Sequence, residues 1–338
     1  MNENKVSIRK KLYNFYEKDV YTSRLIIMLL AVLISMLILR PGKFFTFVNF
    51  QTMVAQFPEF GLMSLGIMMC MITGGIDLSV VGIANLASIS SAIMLKAMVA
   101  ADGSLAWYGI LVSILCGIVI GLLAGVLNGI LVAKIHIPPI LATLGSYELF
   151  SGIAIVLTKG KAISGLPMEY SSVISGKLFG IIPVQLIIFV IMAAVLSFLL
   201  TRTTFGPRIY MLGTNMKAAE FSGLNTSGLL IKTYALSGIC AALGGLVMLA
   251  NYNSARADYG AVYTLQCVLI VVLGGVNPDG GKGRISGVVF SILVLQMLSS
   301  GLNMFPQISN FYKPLIWGGV LLLAMTLNYF SENRGRSK

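Results

Sequence analysis

The sequence predicts an all-α membrane protein, a polytopic bundle of about ten transmembrane helices. Three observations predict it. Of 338 residues, 57% are apolar and only 11% are charged, against roughly 25% charged in a soluble domain. Mean hydropathy is +0.89. Apolar runs of spanning length recur along the chain, since a helix needs about 20 such residues to cross about 30 Å of hydrocarbon. This composition excludes most soluble folds and also disorder, which needs low hydrophobicity. The 36 glycines suit membrane helices whose backbones approach closely.

The spans follow in order. The first is Ser23 to Leu39, after a basic segment 1–22 that holds Lys5, Arg9, Lys10, Lys11 and Lys18. It ends in Arg40-Pro41-Gly42 without a small-residue cleavage site, so it reads as an uncleaved span rather than a signal peptide. The second runs from Met53 to Ile72, the third from Val80 to Val99, the fourth from Ala106 to Ala133 and the fifth from Pro139 to Leu157. The sixth is Ile181 to Thr201, the seventh Leu229 to Ala250, the eighth Val262 to Val276, the ninth Ile285 to Asn303 and the tenth Tyr312 to Phe330. The third is interrupted by polar residues, and the eighth is short. A transmembrane domain 23–330 and a short tail 331–338 result.

The net charge is +12. With the N-terminus inside, ten crossings place 16 of the 24 basic residues on cytoplasmic segments. That bias follows the positive-inside rule, sets both termini in the cytoplasm, and explains the charge with no nucleic-acid partner. Cys70, Cys116, Cys240 and Cys267 lie in apolar runs without CxxC spacing and read as small hydrophobes. With His136 the single histidine, no His-based metal centre and no cofactor is expected.

Four patterns carry the functional reading. Gly117, Gly121, Gly125 and Gly129 repeat every four residues in the fourth span, a smooth stripe for close helix packing or for a moving core. The segment 202–228 lies between spans on the cytoplasmic face. Thr214 or Asn215 there caps a short helix Met216 to Phe221 that stops near Gly223 and presents Met216, Ala218, Ala219 and Phe221. It is either a solvated loop or a docking knob for a partner. Gly74-Gly75 and Gly274-Gly275 each follow an apolar run on the same face, which reads as a tandem repeat of halves or as chance. Polar residues inside spans, Asn85, Asn128, Glu148, Asn251, Gln296 and Asn303, are candidates for a translocation pathway or for hydrogen bonds between helices.

Enzyme readings fail on their motifs. The stretch Gly274 to Gly283 lacks the G-x-x-x-x-G-K-[ST] spacing of a phosphate loop, so no ATP site of its own is expected. Asp77 caps the helix that follows it, or is catalytic. An intramembrane aspartyl protease, however, needs two such aspartates, one of them in a G-x-G-D pattern, and here Ile76 follows Gly75.

Several segments together resemble the permease subunits of bacterial monosaccharide ABC importers of the ribose/xylose/arabinose/galactose type, a family that includes the autoinducer-2 permeases. The residues are Gly74-Gly75-Ile76-Asp77-Leu78-Ser79-Val80; Pro138-Pro139-Ile140-Leu141-Ala142-Thr143-Leu144-Gly145; Gly213-Thr214-Asn215 with Ala218, Ala219, Ser222 and Gly223; and Gly274-Gly275 with Gly280 to Arg284 and Leu298 to Asn303. The match runs from about residue 50 to 328, with departures at Val81, which precedes Gly82, and at Ser151-Gly152, where an arginine is common. The resemblance implies a bacterial inner-membrane permease that works with ABC ATPase subunits, an extracytoplasmic solute-binding protein and a second permease chain, in a homodimer or heterodimer. It also implies that Gly213, Thr214, Asn215, Ala218, Ala219, Ser222 and Gly223 form an ATPase-coupling segment. The expected cargo is a monosaccharide, with autoinducer-2 or a nucleoside as alternatives. A stand-alone secondary transporter or channel is the more distant reading.

Overall fold

The computed structural model describes residues 20–102 and 107–305, and beyond them 307, 312, 315–319, 322 and 326. Most of segment 1–22, the tail 331–338 and most of the tenth span lie outside the described residues; within that span, positions 315–319 are helical. The helices are α1 Val20–Leu39, α2 Pro41–Phe44, α3 Phe47–Ile72, α4 Val80–Asp102, α5 Trp107–Ala133, α6 Pro139–Thr158, α7 Met168–Ile174 and α8 Val184–Arg202. They continue with α9 Phe205–Thr214, α10 Met216–Phe221, α11 Thr226–Tyr252, α12 Tyr263–Leu273 and α13 Ile285–Asn303. Two small antiparallel ribbons join them. One pairs β1 Ile163–Ser164 with β4 Ser254–Ala255, and the other pairs β2 Lys177–Leu178 with β3 Ile182–Pro183.

Local chemistry starts the long helices. Thr46 caps α3 by accepting from the Asn49 backbone N–H at 3.2 Å, and Asn225 caps α11 by accepting from Gly228 N–H at 2.8 Å. Pro139 opens α6, where a missing N–H costs nothing. Seven helices among the described residues are long and apolar enough to cross a membrane: α3, α4, α5, α6, α8, α11 and α13.

The eighth expected span is corrected. α12 has 11 residues, about 16 Å at 1.5 Å per residue, which is half a bilayer core. The turns at 257–262 before it are half-buried, and carbonyls on their inner side need partners. Asn85 is one, donating to the carbonyls of Ala257 at 2.8 Å and Tyr259 at 2.9 Å. The β1–β4 ribbon pairs the chain just before these turns, with Ile163 opposite Ala255.

α3 and α11 are apolar on nearly every side and are enclosed, as such helices must be. All residues of α3 from Phe57 to Ile72 are buried, and most of α11 from Leu229 to Ala250 is buried against α3, α4 and α5. The outward helices α5, α6 and α8 expose large apolar side chains such as Leu123, Val156 and Phe198.

The glycine stripe of α5 packs on α11. A Cβ on Gly121 would meet the Gly238 carbonyl oxygen, and a Cβ on Gly238 would meet that of Gly121. One on Gly125 would meet the Tyr234 carbonyl oxygen, and one on Gly129 would lie 2.6 Å from Ile231 Cα. The two backbones touch with nothing between them. Gly125→Ala is therefore expected to destabilise the chain by about 1–3 kcal/mol, read as a lower melting temperature in detergent. Leu123→Ala, on the exposed face, should stay within about 0.5 kcal/mol. Equal, small shifts for both would contradict this packing.

Candidate functional site

Both Gly-Gly segments form the same helix stop. In the first, Gly74 N–H bonds Met71 O at 3.0 Å and Gly75 N–H bonds Cys70 O at 3.1 Å. In the second, Gly275 N–H bonds Val272 O at 3.0 Å and Val276 N–H bonds Val271 O at 3.2 Å. Each turn needs a left-handed residue, supplied by Gly74 at φ +83° and Gly275 at φ +81°. The structural match is thus offset by one residue from the match of the letters. The loop after the second stop packs on the first: Gly281 N–H donates to Ile72 O at 2.9 Å, and a Cβ on Gly280 would lie 2.8 Å from Gly74 N.

α9 and α10 are seated on this junction. A Cβ on Gly213 would fall on the Ile72 carbonyl oxygen and within 2.6 Å of Gly281 N, so only glycine lets α9 come this close. Tyr210 O–H donates to Gly283 O at 2.7 Å. Asn215 breaks the helix, and its side chain accepts from Ala218 N–H at 3.0 Å to start α10. Thr214 does not cap; its hydroxyl donates to Tyr210 O at 2.9 Å. Gly223, at φ +76°, ends α10, and the Ser222 hydroxyl donates to Ala218 O at 2.8 Å.

The outer surface of this knob differs from the one expected. Ala219 is buried and faces the protein, so it is no part of a docking surface. Phe221 is 92% exposed, with Met216 and Ala218 also outward.

Beneath the knob, the chain between α3 and α4 is held by one carboxylate. Asp77 is fully buried. Its Oδ1 accepts from Ser79 N–H at 3.0 Å and from the Ser79 hydroxyl at 2.6 Å. Its Oδ2 accepts from the Ser237 hydroxyl of α11 at 2.7 Å. Asn128 Nδ2 of α5 donates to Ser79 Oγ at 2.7 Å, and the Thr143 hydroxyl of α6 donates to Ile76 O at 3.0 Å. One turn therefore ties three helices. Burial pushes the Asp77 carboxyl above the usual range, while hydrogen bonds from Ser79 and Ser237 pull it back. Asp77 does not cap the helix itself, which starts at Val80; it closes a turn on Ser79 just before it, and the tie to Ser237 adds to that. The signal for that tie is a carboxylate confined to a seven-residue connection between two apolar spans.

The six polar candidates do not converge. Asn85 serves the turns before α12, and Asn128 serves Ser79. Gln296 Nε2 donates to Gln56 Oε1 at 3.2 Å. Asn251 Nδ2 donates to Glu59 Oε1 at 2.6 Å. Asn303 is exposed at the end of α13. Glu148 is exposed on α6, beside Leu149, Gly152 and Ile153. The enclosed intramembrane carboxylate is instead Glu59, 2% exposed, which the sequence reading passed over. Its signal was a charge in Phe57-Pro58-Glu59-Phe60, inside the second span.

Residues 49–327 match the family described as branched-chain amino acid transport system / permease component. The ribose import permease protein RbsC of Bacillus subtilis is 36% identical over 301 residues, covering 89% of each chain. The D-allose transport system permease protein AlsC of Escherichia coli is 29% identical over 301 residues, also 89% of each. The autoinducer 2 import system permease protein LsrD of Yersinia enterocolitica is 30% identical over 280 residues, 81% of each. No solved structure matches.

Asp77→Ala should leave the donors of Ser79 and Ser237 without their acceptor in a dry site and lower stability by about 1–3 kcal/mol. Asp77→Asn keeps an acceptor oxygen and should cost less. Thermal melting of the two variants checks this order; an alanine variant that melts like the parent would refute it.

Proposed function

The chain belongs to the branched-chain amino acid transport system permease family, and we propose that it is the membrane subunit of an ATP-binding cassette importer for a monosaccharide. The observation that carries this reading is the α9–α10 knob, seated through Gly213 on the first glycine stop and on the loop after the second, and presenting Phe221 to the outside. The likeness to ribose and allose permeases supports the cargo, and the LsrD likeness supports autoinducer 2 as the second choice.

In this reading the chain crosses the inner membrane about ten times with both ends in the cytoplasm, the eighth crossing made by α12 together with the turns before it, and the knob lies on the cytoplasmic face. Residues 202–228 form the coupling loop, with Gly213, Thr214, Asn215, Ala218, Ala219, Ser222 and Gly223 shaping it and Met216 and Phe221 touching the ATPase. Ala219 acts from within, by packing. ATP is hydrolysed on separate ATPase subunits. An extracytoplasmic binding protein delivers the solute to the opposite face. A second permease chain completes the pathway, and the outward face of α6 with Glu148 is turned toward it.

The mechanism follows from the seating. Closure of the ATPases displaces the knob. Rigid contacts at Gly213 pass that displacement to the first glycine stop and to the loop after the second, and so to α3, α4, α12 and α13. The Asp77 ties carry it on to α5, α6 and α11. Packed helices respond by shifting as bodies between two arrangements, which exchanges access from one face to the other.

Proteoliposomes with labelled D-ribose or D-allose, binding protein and ATPase test the reading. Uptake should require both ATP and the ATPase subunit; uptake without them would establish a stand-alone transporter. Phe221→Asp should cut uptake at least about tenfold, by placing a charge in an apolar contact worth upward of 1.4 kcal/mol, while melting temperature stays unchanged. Undiminished uptake would remove the docking role.

A further inference from the structure

A second polar cluster lies along α3 from the glycine stop, at Glu59, 13 residues and about 20 Å away. Glu59 Oε1 accepts from Asn251 Nδ2 at 2.6 Å, and Oε2 accepts from the phenols of Tyr252 at 3.1 Å and Tyr263 at 3.0 Å. Asn251 Oδ1 in turn accepts from Gln185 Nε2 at 2.8 Å and the Ser175 hydroxyl at 2.9 Å. The cluster joins α3, α7, α8, α11 and α12. Its floor is enclosed, but its rim is open: Tyr252 is 46% exposed, and its ring meets that of Tyr259 edge to face at 5.3 Å.

The coupling mechanism uses none of these groups, and the cluster is not saturated. Gln185, 1% exposed, holds its Oε1 buried with no donor. A carboxylate offers about four acceptor positions and Glu59 has three donors; each phenol that donates keeps lone pairs of its own. The cluster therefore lacks donors, and it is bordered by aromatic rings. A small polyol has the complementary chemistry, with several O–H donors around a ring whose C–H face packs on tyrosine.

We propose that Glu59, Gln185, Asn251, Tyr252 and Tyr263 form a subsite for the hydroxyl groups of a monosaccharide on the face of the protein away from the knob. This deepens the importer reading and rests on it for the class of solute. A site that expects hydroxyls discriminates strongly against an analogue without them, because its polar groups are left unpaired. The subsite therefore favours sugars over ring analogues that carry no hydroxyl, such as tetrahydropyran.

The test is saturation-transfer NMR on the full chain in lipid nanodiscs, without ATPase, using D-ribose, D-allose and tetrahydropyran. At least one sugar should bind saturably and tetrahydropyran should not. Tyr252→Phe and Gln185→Leu should each weaken the sugar about tenfold, the effect of one ordinary hydrogen bond. Tyr252→Phe also takes one donor from Glu59, so its affinity is read well below its own melting transition. No saturable sugar binding, or equal affinity in both variants, overturns the subsite and leaves the cluster as an interhelical tie with an interfacial aromatic rim. The two readings separate. Sugar binding that Tyr252→Phe weakens, with uptake independent of ATPase, keeps the subsite and removes the importer. ATPase-dependent uptake with full affinity in Tyr252→Phe does the reverse.

Discussion

The carboxylate of Asp77 sits in a dry position, held by two hydroxyls and a backbone amide. A chain that turns inside an apolar body must find partners for its polar groups there, because no water supplies them. Asp77 supplies them for the turn between α3 and α4, and the same bonds fix α11 and, through Ser79, α5. The position of α11 matters most, because α3, α4 and α5 all pack on it. Its contact with α5 is backbone against backbone at Gly121 and Gly238, so a small shift at the turn has no side-chain layer to absorb it.

The knob uses the same device at the surface. Gly213 lies on Ile72, which ends α3 at the first stop, and on Gly281 in the loop that follows the second, and that loop lies on the first stop. Side-chain contacts of ordinary flexibility would dissipate a push; close backbone contacts pass it on, since packed cores change between discrete arrangements rather than deforming continuously. The proposed coupling therefore depends on glycine twice: for the positive φ of each stop, and for the absence of a Cβ where α9 is seated.

Much of this arrangement was legible in the letters. The ninth span coincides with α13 because apolar periodicity there is bounded by Arg284 and by the polar end at Asn303. The six-residue helix at Met216–Phe221 was readable from its cap and its glycine stop. Its facing was not: six residues are too few for a period to show which side is buried, and Ala219 proved inward. The eighth span, Val262 to Val276, is shorter as a helix because turns precede Tyr263 and the Gly274-Gly275 stop ends it at Leu273. Glu59 was lost to averaging, one charge among apolar neighbours, while Glu148 drew attention for the same composition without being enclosed. Asn85 and Asn128 hydrogen-bond to partners far along the chain, Ala257 and Ser79, which follow from the fold alone.

The measurement that tests the central claim most directly is hydrogen exchange on the complete importer in nanodiscs, with and without a non-hydrolysable ATP analogue. Transmission through the seated knob predicts that exchange in 205–221 changes together with that in 72–79 and 274–283, three segments remote in sequence. A change confined to 205–221, or changes in the helices with the two stops unaltered, would contradict it.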